Sequence, residues 1–286
     1  MNRTWRAYWR LMRFDRPIGM LLLLWPTWWA LLLAGNGRPA AGIAMIFTAG
    51  VILMRAAGCV MNDIADRDFD PHVKRTRDRP LASGELNLKQ ATVAFLMLMI
   101  SAFGLVLLTN WLTIQLAFAG ALLASTYPFF KRFTHFPQVI LGMAFGWGIP
   151  MAFAAQTGGL PSLAWLVLVI NVVWAVIYDT LYAMVDRDDD LQIGVKSTAI
   201  LFGRFDRVIL AVLMMAMIAM LVALGLWQNL GWPWFAGTGV AATCFIYQLW
   251  LARERGREGC FRAFLNNNWV GLVILVGLLG HYGLKA

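Results

Sequence analysis

Two stretches of the chain gather acidic residues at spacings that suit metal-assisted chemistry. The first reads Asn62-Asp63-Ile64-Ala65-Asp66-Arg67-Asp68-Phe69-Asp70, and the second carries Asp179, Asp186 and Asp190. On a helix, Asn62, Asp66 and Asp70 at i, i+4 and i+8 share one face. Asp179, Asp186 and Asp190 at i, i+7 and i+11 return to one face if the helix continues through them. Solvated carboxylates paired with neighbouring arginines need no particular spacing, whereas like charges on a common face repel until a cation neutralises them. Oxygen ligands with no cysteine or histidine cluster nearby suit Mg²⁺ rather than zinc, and Mg²⁺ commonly joins protein carboxylates to substrate phosphates. A diphosphate is the expected bridge between the two stripes.

Basic residues interleave with the acids. Lys74, Arg75, Arg77 and Arg79 follow the first cluster and Lys196 follows the second; such groups neutralise phosphate oxygens that a metal does not reach. A direct phosphate role is expected of Arg67, Lys74 and Lys196, with a plain topology signal as the alternative for each. Arg55 is more telling, because an unpaired cation within an apolar span costs several kcal/mol and normally faces a cavity or a partner. It lies seven residues before Asn62, hence on the same helical face and about 10 Å deeper at 1.5 Å per residue. The spacing predicts a buried anion site there, against the alternative of a snorkelling arginine. Arg16, at the start of the first apolar span, is placed to close such a pocket or to anchor the span at the interface.

The elements that carry these groups are membrane helices. Of the 286 residues, 60% are hydrophobic and only 14% charged, far from the near-half apolar and quarter charged makeup of soluble domains. Nine apolar stretches long enough to cross about 30 Å of hydrocarbon lie near 17–35, 41–61, 90–108, 111–127, 138–155, 163–182, 208–227, 232–251 and 267–284. The net charge of +9 does not point to nucleic acid, because the cations fall on one side of these spans. All lysines and arginines except Arg38, Arg55 and Lys285 flank one membrane face, which by the positive-inside rule is cytoplasmic. The expectation is a cytoplasmic amino terminus, an external carboxyl terminus, and both acidic clusters at the cytoplasmic end. No cleavable signal is evident, since the first apolar run is long enough to span. Cys59, Cys244 and Cys260 have neither pairing nor metal-ligand spacing and read as packing residues.

The clusters are four spans apart. This offset predicts a single domain over residues 1–286, built as two related four-helix units with a ninth helix added, each unit bearing its acids at the end of its second helix.

The longer segments make a resemblance visible. NDIADRDFDPHVKRTRDRPLASG at 62–84 carries NDxxDxxxD, and YDTLYAMVDRDDDLQIGVKSTAILFG at 178–203 carries DxxYAxxDxxxD. With FDRPIG at 14–19 and nine spans, the whole chain resembles the UbiA-type intramembrane aromatic prenyltransferases, in particular members that act on 4-hydroxybenzoate. The resemblance implies an all-α polytopic bundle around a central cavity, with both motifs at its cytoplasmic mouth. It implies Asn62, Asp66, Asp70, Asp179, Asp186 and Asp190 as ligands of Mg²⁺ bound to a polyprenyl diphosphate. Asp66, Asp70, Asp186 and Asp190 become the catalytic carboxylates, and Tyr182 joins Arg55, Arg16, Asn62, Arg67, Lys74 and Lys196 in substrate binding. It also implies the ubiquinone pathway and a bacterial inner membrane, with membrane lipids as surroundings. A cation-coupled transporter shares midplane charge and helix repeats, but transport sites tend to lie near the bilayer centre on interrupted helices, whereas these clusters sit at one face. Other phenolic acids, a naphthoate and haem stay open as acceptors, and no motif measures prenyl length.

Overall fold

A computed structural model describes residues 3–72, 76–130, 133–194 and 196–285. Its described residues form helices and turns with no strand: α1 (Arg3–Leu11), α2 (Ile18–Ala34), α3 (Ala41–Ala65), α4 (Leu88–Val106), α5 (Trp111–Phe130), α6 (Pro137–Gly146), α7 (Gly148–Thr157), α8 (Ser162–Ile193), α9 (Thr198–Phe202), α10 (Asp206–Trp227), α11 (Trp232–Leu251) and α12 (Arg257–Gly283). Among the described residues, six helical segments are long and apolar enough to cross a membrane, and α2 and α5 are shorter apolar helices. With the 20 residues of α11, every expected span falls on helix among the described residues, eight on one helix each and the fifth on α6 and α7 together. The molecule is an all-α integral membrane bundle.

Three local departures from nine plain spans have identifiable causes. The fifth is broken at Trp147 into α6 and α7. Pro150 lacks an N–H and crowds the carbonyl four residues back, that of Gly146, where α6 ends. The second span stops sooner than the acidic spacing implied. Asp66 caps α3, and Asp70 opens a 3₁₀ turn at Asp70–His72. The sixth, α8, has 32 residues, roughly 48 Å at 1.5 Å per residue. It outruns the hydrocarbon by several turns and stops at Gly194, whose φ of 72° satisfies a left-handed C-cap.

Two hydrophobic clusters hold the bundle. The larger joins α2, α7, α8, α10, α11 and α12 around Trp29, Trp174 and Trp234, and the smaller packs α1 onto α3 and α4 through Ala7, Leu11, Ala57 and Leu98. Outward residues such as Ile100 and Ile246 stay exposed, as lipid-facing positions of a membrane helix do, because lipid tails are as apolar as they are. Inside, three consecutive asparagines of α12 tie helices together. Trp174 of α8 donates to Asn267 Oδ1 at 2.9 Å, Asn267 donates to Gln248 of α11 at 3.2 Å, and Gln248 donates to Asn266 at 3.0 Å. Trp25 of α2 donates to Asn268 at 2.9 Å. Polar side chains satisfied across helices fix rotation where apolar packing against lipid-like surfaces would not.

Candidate active site

A cavity of about 480 Å³ opens where the ends of α3 and α8 meet, and all six candidate metal ligands line it. Asn62 comes from the last turn of α3, Asp66 from its cap and Asp70 from the turn beyond. The amides of Phe69 and Asp70 each donate to the Asp66 carbonyl at 2.8 Å, so a compact turn takes over where the helix stops. Asp179, Asp186 and Asp190 face the cavity from one continuous helix, α8. Asp66, Asp70 and Asp186 are buried. Burial pushes the Asp70 carboxyl up from its ordinary value, and the adjacent Arg79 guanidinium works against that rise.

Arg79 and Arg13 form the part of this rim that spacing alone did not reveal. Arg79 Nη1 lies 2.8 Å from Asp70 Oδ2 and 3.1 Å from Asp63 Oδ1. Arg13 Nη2 donates to both Asp63 oxygens at 2.8 and 3.0 Å. Asp63 is 1% exposed, and a carboxylate taken so far from water needs such partners to stay charged. Its position beside Asn62 was the available signal. Which arginines would reach it was not legible, because they come from 50 residues upstream and 16 downstream in sequence.

Arg55 lies at the inner end of the same cavity. Its guanidinium sits 5.6 Å from the Phe145 ring centre and fills the space beside Gly19, where any Cβ would collide with it. Its Nε is buried and has no hydrogen-bond partner among the described residues, the condition of a cation prepared for an anion. Arg16, Tyr182 and Lys196 also line the cavity. Arg16 is paired with Asp15 at 3.7 Å, and Lys196 donates to the Phe133 carbonyl at 3.4 Å. Arg67 is placed elsewhere: it is absent from the lining and points outward, 3.4 Å from Asp68. Lys74 lies outside the described residues.

Aromatic rings form one wall. Tyr182 packs 4.6 Å from Phe264, and Tyr178, 1% exposed, meets Trp174 edge-on at 5.4 Å. A second, almost wholly apolar cavity of about 160 Å³ shares Arg55, Tyr127 and Phe145 with the first and is floored by small residues such as Gly50, Gly120 and Ala124. The site thus joins an acidic mouth, a cationic inner end and an apolar side chamber.

The donor set fits Mg²⁺. All six groups offer hard oxygen, and among the described residues no three acidic, histidine or cysteine side chains converge as a ready-made metal cage. Mg²⁺ is commonly held by one or two carboxylates, with substrate phosphate and water completing its shell. Carboxylates lining one cavity from α3 and α8 are the oxygen donors such a shell draws on.

Comparison with known proteins places the chain in a family. The sequence profile of the UbiA prenyltransferase family matches residues 23–272. The chain is 57% identical over 276 residues to the 4-hydroxybenzoate octaprenyltransferase of Methylococcus capsulatus, covering 96% of this chain and 94% of that protein. It is 60% identical over 274 residues to the protein of the same name from Vibrio parahaemolyticus, covering 96% of each. In fold it resembles the apo UbiA homologue of Aeropyrum pernix K1, with a TM-score of 0.82 at 24% identity over 91% of this chain and 97% of that one. It also resembles a UbiA homologue of Archaeoglobus fulgidus solved with GPP and Mg²⁺, with a TM-score of 0.74 at 14% identity over 96% and 99% of the two chains. A family profile spanning most of the chain, near-full-length relatives and a shared bundle lead to one conclusion: this integral membrane protein belongs to the UbiA prenyltransferase family.

Proposed function

We propose that the protein transfers a polyprenyl group from polyprenyl diphosphate to the ring carbon ortho to the hydroxyl of 4-hydroxybenzoate, releasing diphosphate, as a step of ubiquinone biosynthesis in a bacterial inner membrane. The observation that carries this reading is a single cavity with carboxylates at its mouth and a cation at its inner end whose Nε has no partner among the described residues. The names of the bacterial relatives support the acceptor, and the Archaeoglobus fulgidus structure with GPP and Mg²⁺ supports the donor and the ion. The mouth and amino terminus are cytoplasmic in this reading, following the one-sided distribution of basic residues.

Mg²⁺, when bound, neutralises the charge that develops on the departing diphosphate. Asn62, Asp66 and Asp70 would hold it from one rim and Asp179, Asp186 and Asp190 from the other. Arg79 and Lys196 supply cationic donors to phosphate oxygens. The allylic C1–O bond breaks with its electron pair leaving on the diphosphate. The electron-rich ortho carbon then bonds to C1, and loss of the ring proton restores aromaticity. Arg55 holds the acceptor carboxylate and so sets the ring beneath the diphosphate. Tyr178, Tyr182 and Phe264 wall off water that would otherwise trap the allylic cation. The first isoprene units run along the apolar side chamber and the remainder of the chain enters lipid.

Purified enzyme incubated with labelled prenyl diphosphate, Mg²⁺ and 4-hydroxybenzoate should yield a lipid-soluble aromatic product. Asp66→Ala or Asp190→Ala should lower that turnover by about two orders of magnitude or more while the protein stays folded. Near-normal turnover in both variants overturns the metal assignment. Solute uptake by proteoliposomes without any prenylated product overturns the enzymatic reading in favour of transport.

A further inference from the structure

The last turns of α8 carry Asp186 and Asp190. Leu191 is 58% exposed, and Asp186, Asp188, Asp189 and Asp190 crowd four negative charges into five residues. Ion pairs tie these turns to α10 and to the start of α12. Asp206, the first residue of α10 and 0% exposed, accepts from Arg255 Nε at 3.0 Å on both oxygens and from its Nη2 at 2.9 Å. Arg187 of α8 lies 3.5 Å from the same carboxylate. Arg257, two residues after Arg255, donates to both oxygens of Asp189 at 3.1 and 2.9 Å. None of Arg187, Asp189, Asp206, Arg255 and Arg257 lines the cavity.

The backbone marks this arrangement as specific. Among the described residues, four other than glycine have positive φ: Arg13, Asn36, Asn229 and Arg255. Asparagine tolerates that region in tight turns, but arginine rarely enters it without a constraint imposed by its surroundings. Both arginines grip a fully buried aspartate in a two-oxygen contact, Arg13 on Asp63 at the end of α3 and Arg255 on Asp206 beside the end of α8. Each acidic cluster thus has an arginine clamp behind it.

We infer that Arg187, Asp206 and Arg255 are positioning residues: together with the Arg257–Asp189 pair they hold the end of α8 so that Asp186 and Asp190 face the diphosphate site, and thereby set metal affinity. The inference rests on the proposed metal-diphosphate function. It assigns work to the residues between the two ligands of the Asp186-Arg187-Asp188-Asp189-Asp190 run, which touch no substrate. Arg187 and Asp189, two residues apart and so on opposite sides of the helix, flank the face that carries Asp186 and Asp190 and fix the rotation of that turn.

The test is Mn²⁺ binding by the full-length protein in lipid nanodiscs, read by electron paramagnetic resonance. A prenyl thiodiphosphate, in which sulfur replaces the bridging oxygen, occupies the donor site without reacting. Asp206→Asn is expected to weaken Mn²⁺ binding about tenfold, the lower end of the effect of groups that orient metal ligands, with the acceptor KM unchanged. Arg257→Gln breaks only a partly exposed pair and leaves no buried charge, so it is expected to fold and to weaken binding about threefold, within the worth of an exposed ion pair. A purely structural role would lower the yield of folded protein and leave the Mn²⁺ dissociation constant of the remainder as in wild type. An unchanged constant in Arg257→Gln, or in folded Asp206→Asn, overturns the inference. Failure of the wild-type protein to bind Mn²⁺ with the analogue overturns the metal-diphosphate reading beneath it, and the inference with it.

Discussion

Arg55 and Asp63 are both charged groups sequestered in the same bundle, and their surroundings give them opposite parts. Asp63 is saturated by Arg13 and Arg79, whereas Arg55 keeps a buried Nε without a partner among the described residues at the inner end of the cavity. The first pattern stabilises, and the second leaves a buried donor that the proposed function assigns to the acceptor carboxylate. Arg55→Ala should raise the acceptor KM by about tenfold or more while leaving the prenyl diphosphate KM near wild type, since a lost charge-assisted contact costs about 1.5–3 kcal/mol. Steady-state kinetics with each substrate varied in turn checks it, and an unchanged acceptor KM removes Arg55 from that role. Arg13→Ala should instead act on stability. It strips one partner from a carboxylate that is 1% exposed, a change that costs about 3 kcal/mol where no second cation compensates, and less here because Arg79 remains. Thermal unfolding in detergent should show a lowered midpoint, with the acceptor KM of the folded fraction unchanged.

At the scale of elements, the acidic clusters reach the cavity by two different routes. On α8 the i, i+7, i+11 spacing works as helical periodicity prescribes, because the helix runs on beyond Asp190 to Ile193. On α3 the i, i+4, i+8 spacing does not operate through a helix to its end, since Asp66 is already the cap and a tight turn returns Asp70 to the site. The sequence pattern named the same residues in both cases, but only the second cluster owes its alignment to helix geometry. Close helix contact matters equally. On α11, Gly237 faces α12 so closely that a Cβ would lie 2.6 Å from the Val273 carbonyl oxygen, a backbone atom that cannot swing aside. Gly237→Leu should destabilise the bundle by roughly 1–3 kcal/mol, as overpacking does. Gly239→Ala, where no atom lies within 4 Å of an added Cβ, should not lower the unfolding midpoint, since alanine also favours the helix over glycine.

For the molecule as a whole, composition and charge placement carry most of what is legible. The 60% hydrophobic content and the one-sided lysines and arginines imply a membrane bundle with its mouth on the basic face before any contact is known. On the proposed topology of nine crossings, the termini lie on opposite sides. A carboxyl-terminal alkaline phosphatase fusion expressed in bacteria should be active, and a carboxyl-terminal green fluorescent protein fusion dark. The reverse pattern would overturn the orientation and place the acidic mouth on the external face.

The residues proposed to bear the chemistry were therefore nameable from order along the chain, because hydrophobic run length, helical period and the avoidance of uncompensated like charge are local properties. Helix class, span positions and the six oxygen donors follow from those rules alone. Tertiary structure decided what local rules cannot see. It turned Arg67 outward to Asp68, brought Arg13 and Arg79 onto Asp63 from distant loops, and set Arg255 and Arg257 behind the wall that carries Asp186 and Asp190. Pairing of a buried charge depends on which segments meet in space, and that is settled only when the whole bundle packs. The two aspartate stripes are a statement of sequence, while their facing each other across one cavity is a statement of fold.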